Sequence, residues 1–316
     1  LKLRSHLFCL SAIIIWSSLE ITGKLVGVGI DPFTLTAWRF VIGGVVLLPF
    51  AIRQARINKL QINRSSILRI GSLGLLNVCV SMLLLQLSIF HGKASLSAII
   101  ISMNPLFVIY FAALLTNEKL SLMQMLSLGA GVLGLCLIVF MDRNIISSPF
   151  RNLPLGIIFA IGASLTFGLW TVLTKSEIAK HGNIFTNAVS FLIGGVTLMI
   201  INIVIGKPFA FSLSLRNILF MGYLGLIITG AAYLLYFEGM KIISAPRASV
   251  YFFLKPALAS LLAYVILKET LVWVQVIGMI LIVLSLGRGF FMQLFADRSA
   301  RQNLSPLDFP STTSVE

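Results

Sequence analysis

Two stretches decide the reading of this chain: NPLFVIYFAALLTNEKL at residues 104–120 and KPALASLLAYVILKETL at residues 255–271. Each is an apolar run long enough to cross a membrane, each opens on a polar residue followed by proline, and each closes on glutamate. Pro105, Glu118, Leu120 and Gln124 fall on Pro256, Glu269, Leu271 and Gln275 at a single offset of 151 residues. The same offset carries Phe40-Val41-Ile42-Gly43-Gly44-Val45 onto Phe191-Leu192-Ile193-Gly194-Gly195-Val196, and Lys24 onto Lys175. Apolar matches arise by chance in such a composition. Lys, Pro, Glu and Gln are scarce here, so their coincidence marks a duplication.

Working outward, apolar runs of about 20 residues, each sufficient for a ~30 Å hydrocarbon core, follow one another along most of the chain. Spans are expected near 7–27, 33–52, 67–89, 94–115, 121–140, 155–176, 184–205, 217–238, 245–266 and 271–291. The chain is 58% hydrophobic and 11% charged, with mean hydropathy +1.01, against about 25% charged residues in soluble domains. The expected fold is therefore an all-α integral membrane protein. Its ten transmembrane helices form two inverted five-helix repeats, because an odd number of spans makes the second copy enter from the opposite side. Residues 1–140 are the first repeat, 141–154 a linker, 155–291 the second repeat, and 292–316 a disordered cytoplasmic tail. Inverted repeats are typical of secondary transporters, with the site near the midplane between the halves.

The net charge of +14 reads as orientation. Lys and Arg gather in short connections, mostly on the side that would hold both termini, which places those termini in the cytoplasm and gives no reason to expect nucleic acid. Cys9, Cys79 and Cys136 lie in apolar runs without CxxC spacing, so neither a disulfide framework nor a metal site is indicated. Lys2, Arg4 and the apolar run after them imitate a secretory signal, but no small-x-small cleavage site follows, and an uncleaved first helix is expected.

The segment Trp16 to Lys24, with the two stretches quoted above, resembles the drug/metabolite transporter superfamily, and within it the ten-helix EamA-like group, over about residues 5–290. The family pattern closes its fourth and ninth helices with Gly-Glu, where this chain has Asn117 and Lys268 before the glutamates. The resemblance implies a cavity lined by helices 1–4 and 6–9, with helices 5 and 10 peripheral. It also implies metabolite transport in the cell membrane, multi-pass, as in a bacterial inner membrane.

Charges inside spans are costly and should face protein or water. Glu20 and Lys24 are four apart and share a helix face, and Arg39 lies at similar depth, so Glu20 is expected to pair with Lys24, Arg39 or both. Lys255 is the deepest cation and is expected to face the cavity and meet an anionic group, such as a substrate carboxylate or phosphate. Its repeat counterpart is Asn104. Lys255, Glu20, Lys24, Arg39, Asn104, Trp16, Gln86, Trp170, Tyr233 and Tyr236 are the candidate substrate-binding residues, with Pro105 and Pro256 as hinges. For each neutral one, an ordinary interhelical hydrogen bond or packing contact is the competing reading. Glu238 with Lys241 reads as an interfacial salt bridge, and Glu118 and Glu269 as helix-end anchors.

Opposite charges in one cavity suit a zwitterion or an organic anion, amino-acid-like in size. H+ is the candidate coupling ion, carried by Glu20, since a low-dielectric site favours the neutral form of a carboxyl. The lipid bilayer and a small-molecule solute are the expected partners, a homodimer is a candidate assembly, and no cofactor is expected. No GxxxxGK[ST], HExxH or GxSxG motif occurs. The rival readings are a membrane-embedded enzyme acting on a lipid-linked substrate, with Glu20, Lys24 and Lys255 catalytic, and a non-transporting scaffold or channel.

Overall fold

A computed structural model describes residues 2–27, 29–116 and 152–268, with isolated positions 129, 133, 273, 276, 277 and 280. Within them lie eight helices long and apolar enough to cross a membrane: α1 (Leu3–Val26), α2 (Pro32–Ile57), α3 (Arg64–His91), α4 (Ala94–Leu115), α5 (Leu153–His181), α6 (Asn183–Val204), α7 (Leu215–Met240) and α8 (Ala245–Leu267). No strand occurs among the described residues. These correspond to the first four and the sixth to ninth expected spans. The expected spans at 121–140 and 271–291, the tail 292–316, and Glu118 and Glu269 fall outside the described residues.

Local chemistry explains where the helices start. Asp31 accepts from Phe33 N–H at 2.9 Å with Pro32 in the first turn of α2. Asn63 caps α3 through Ser66 N–H at 2.8 Å, and Asn152 caps α5 through Leu155 N–H at 3.1 Å. Each side chain satisfies a backbone donor that the helix cannot. α5 runs past the expected end at residue 176 because Glu177 pairs with Lys180 and His181 one turn on, which keeps charged residues helical. Gly182, at φ +84°, then turns the chain into α6. α2 likewise extends to Ile57, shortening the connection expected from Arg53 to Ser66.

Burial is inverted relative to a water-soluble protein. Ile158, Ile200 and Val204 are exposed while Glu20, Arg39, Asn77, Asn104 and Lys255 are buried, as expected where the solvent is lipid.

Repeat-related residues make matching contacts across the molecule. Gly43 lies against Gly225 and Thr229, and its counterpart Gly194 lies against Gly74 and Val78. Gly44 faces Leu192, while Gly195 faces Val41. Phe40 meets its own counterpart, Phe191, edge to face at 5.1 Å. Lys24 donates to the carbonyl of Gly92 at 2.6 Å, and Lys175 to that of Ile243 at 3.2 Å. α2 and α6 pack antiparallel, since Thr34 meets Pro208, Val41 meets Gly195 and Gln54 meets Phe185. α3 and α7 each contain a π-helical stretch, Leu75–Met82 and Tyr223–Ala231, overlapping at related positions. Such stretches are rare and cluster at functional sites.

The close approach at Gly74 is backbone to backbone, where a Cβ would overlap the Ser190 carbonyl. Gly74→Ala is expected to destabilise the protein by about 1–3 kcal/mol through overpacking. Gly222→Ala, with nothing within 4 Å, should leave stability unchanged or slightly raised. Melting of the two purified variants checks the difference.

Candidate functional site

Besides α3, whose π-helical stretch ends at Met82, four helices are irregular where they approach the centre. α1 breaks at Ser17–Ser18, whose hydroxyls bond back to the Ile13 and Ile15 carbonyls at 2.8 Å, an arrangement that bends helices. The break begins a second segment, Leu19–Val26, and puts Glu20 in its first turn, where the unsatisfied N–H groups favour a negative charge. α4 breaks at Ser102–Met103 immediately before Asn104 and Pro105. α8 passes through a 3₁₀ stretch, Val250–Phe253, just before Lys255 and Pro256. The π-helical stretch of α7 ends two residues before Tyr233.

These irregular segments surround a cavity of about 20 Å³, room for about one water molecule. Its lining includes Trp16 with Phe167, Met82 with Tyr233, and Ile101 with Phe252. Each of these three pairs is separated by the repeat offset of 151 residues. The cavity is therefore lined from both copies of the repeat. Aromatic side chains close it: Trp16 packs on Tyr233 at 4.9 Å, Tyr236 at 5.2 Å and Phe252 at 5.6 Å, and Phe167 stacks on Trp170 at 5.3 Å.

One charged group lines the cavity. Lys255 is 2% exposed, and its Nζ donates to Glu20 Oε1 at 2.5 Å. This corrects the expectation that Glu20 pairs with Lys24 or Arg39. Lys24, one turn further along α1, instead donates to the carbonyls of Ile89 and Gly92 at 2.9 and 2.6 Å, closing the C-terminal end of α3. No ion pair joins Arg39 to Glu20. Glu20 and Lys24 share the regular segment Leu19–Val26, yet one reaches α8 and the other the carbonyls at the end of α3. Glu20 Oε2 has no hydrogen-bond partner.

The remaining expected residues divide. Trp16 and Tyr233 line the cavity, and Trp16 also donates to the Ile228 carbonyl at 2.9 Å. Trp170 and Tyr236 are buried in the aromatic layer, with the indole N–H and the phenol oxygen unpartnered. Asn104 is fully buried, and neither polar atom of its side chain has a partner. Gln86 is not at the cavity; it donates to the Gly23 carbonyl at 3.3 Å, the interhelical hydrogen bond that was the competing reading. Glu238 and Lys241 form the expected salt bridge at 2.7 Å.

A second polar cluster escaped the sequence reading. Glu177 Oε2 faces His181 Nδ1 at 3.3 Å, and His181 Nε2 faces Ser66 Oγ at 3.1 Å. The signal available was the i, i+4 spacing of Glu177 and His181, but Ser66 is 115 residues away. Beside it, Phe185 N–H donates to Gln54 Oε1 at 3.2 Å. This cluster bridges α2 and α3 to the α5–α6 corner. At the opposite end of the α2–α6 seam, Thr34 donates to the Pro208 carbonyl, Trp38 to that of Phe209 at 2.9 Å, and Lys207 approaches Asp31 at 3.5 Å. The seam is bridged at both ends.

The EamA-like transporter family profile matches residues 3–140 and 154–287. The chain belongs to the EamA-like transporter family. An uncharacterized transporter of Clostridium kluyveri is 33% identical over 284 residues, 89% of this chain and 91% of that protein. Protein PecM of Dickeya dadantii is 27% identical over 244 residues, covering 76% and 78%. A solved crystal structure superposes with a TM-score of 0.66 at 20% identity, covering 89% of this chain and 95% of that one, a likeness of fold. Among the described residues no cluster of His, Cys, Asp or Glu suits a metal ion.

Proposed function

We propose that this EamA-like protein is a secondary transporter of a small polar metabolite, a zwitterion or organic anion of amino-acid size. It works by alternating access between two inverted five-helix repeats, residues 1–140 and 155–291, in a cell membrane with both termini cytoplasmic. The observation that carries this reading is the cavity lined from both copies, by three residue pairs 151 positions apart. The antiparallel packing of α2 on α6 supports the inverted arrangement, because repeat-related helices in such proteins traverse the membrane in opposite senses.

A cavity with room for one water holds no metabolite, and the seam is bridged at both ends, so the structure corresponds to a closed form. Opening either end requires one set of bridges to part while the other holds. Pro105 and Pro256 mark the hinges, each beside a helix irregularity where a backbone hydrogen bond is already missing. Lys255 and Glu20 form the charged wall. The free Oε2 of Glu20 is the place where a coupling proton would bind.

The test uses purified protein in proteoliposomes and a radiolabelled solute chosen by thermal stabilisation from a panel of amino acids, nucleosides and organic acids. Glu20→Gln is expected to abolish accumulation driven by a pH gradient while solute exchange remains measurable. Unchanged accumulation in the variant removes Glu20 as proton carrier, and no flux of any stabilising solute removes the transport reading itself.

A further inference from the structure

Three charged side chains lie wholly within the core between the helices: Glu20 at 0% exposed, Arg39 at 1% and Lys255 at 2%. Glu20 and Lys255 neutralise each other at 2.5 Å. Arg39 is left over. Among the described residues no carboxylate forms an ion pair with it, and its Nε has no hydrogen-bond partner. Its guanidinium carbon lies 4.8 Å from the Phe40 ring centroid, and a ring face compensates a buried cation only partly. The Glu20 carboxylate also acts on Arg39, but it is shared with Lys255, so these three buried charges keep one positive charge in excess, which is strongly unfavourable.

Polar side chains lie between Arg39 and the cavity. The Phe40 ring beside the guanidinium lies 6.0 Å from the ring of Tyr233, which lines the cavity. Asn77 is fully buried with its side-chain amide beside the Tyr233 hydroxyl. Hydroxyl and amide donors around an unmatched guanidinium make a receptor for an oxyanion.

We infer that Arg39, with Asn77 and Tyr233, receives the carboxylate of the solute, and that the cargo is an organic monoanion with an apolar body. The inference rests on the transport reading above and narrows its solute class. A zwitterion brings no net charge to match Arg39, and its ammonium group would compete for Glu20, which Lys255 already holds. A cation adds to the imbalance. A monoanion restores neutrality to the core, and its body meets a wall that is almost entirely apolar and aromatic.

The experiment compares three probes of one carbon skeleton on the detergent-purified protein: 4-methylpentanoate (anion), leucine (zwitterion) and isopentylamine (cation), with sodium chloride at matched ionic strength. Melting shifts and equilibrium binding are read. The expected result is stabilisation by 4-methylpentanoate, weaker or no stabilisation by leucine, and none by isopentylamine or chloride. Arg39→Gln should weaken 4-methylpentanoate binding by about 30-fold or more. Arg39→Lys, which keeps the charge but loses the planar fork, should weaken it less. Should Arg39→Gln fail to fold, Arg39→Lys decides alone, with weakened binding in support and unchanged affinity against. Leucine or isopentylamine binding as tightly as the carboxylate overturns the charge assignment and leaves the cavity reading standing. Chloride matching the carboxylate overturns it in favour of an adventitious ion only. Silence from every probe overturns it too, and the proteoliposome fluxes then show separately whether the transport reading survives.

Discussion

Replacing Glu20 by Ala should destabilise the protein by about 3–5 kcal/mol, because it leaves Lys255 charged, buried and without its partner. Lys255→Met alone should cost a similar amount by stranding the Glu20 carboxylate. The double substitution Glu20→Met with Lys255→Met should recover most of that loss, since hydrophobic residues of similar volume often replace a buried pair at little or no cost. Melting of the purified single and double variants gives the coupling. The double variant is nonetheless expected to lose transport, because the charged wall of the cavity is gone. Single variants as stable as the native chain would mean that the 2.5 Å contact carries little energy.

The second large effect concerns the α2–α6 seam. With the three native cysteines replaced, Gln54→Cys with Phe185→Cys brackets one end, and Thr34→Cys with Pro208→Cys the other. Joining either pair with a short bifunctional thiol reagent should abolish solute flux completely, because each conformational exchange needs one end to part. A cleavable reagent should restore flux on reduction. Persistent flux with either pair fully cross-linked would show that the seam does not open during transport.

Much of this architecture was legible in the residues. Apolar run lengths located the eight described helices to within a few residues, because the bilayer thickness imposes them. The offset of 151 residues, read from Pro105 and Pro256, also relates Gly43 to Gly194, Lys24 to Lys175, and the cavity pairs headed by Trp16 and Phe167. Duplicated sequence implies duplicated contacts, so the repeat foretold where matching contacts would form. The placement of Lys255 at the cavity could be read from its depth, since such a cation must find polar company.

Partner choice was not legible. Glu20 and Lys24 have ideal helical spacing, yet Glu20 meets a residue 235 positions away. Lys255 of α8 comes within reach of Glu20 only through tertiary packing, while the carbonyls at the end of α3 supply Lys24 with acceptors that no sequence pattern announces. The Ser66–His181 contact was hidden for the same reason, because it depends on how α3 docks against the α5–α6 corner. Gln86 shows the converse. A polar residue within a span reads equally as a cavity liner or as a link between helices, and only the close approach of α1 at Gly23 decides for the link.

Sidedness tests the inverted arrangement most directly. Gly29 lies between α1 and α2, and Lys180, 151 residues later, lies at the end of α5. Single cysteines at positions 29 and 180, in a chain otherwise free of thiols, can be exposed to a membrane-impermeant maleimide in intact spheroplasts and again after permeabilisation. Labelling of position 29 from outside and of position 180 only after permeabilisation is expected. Labelling of both from one face would mean that the two copies cross the bilayer in the same sense, and no rocking of inverted halves around the cavity would be left to propose.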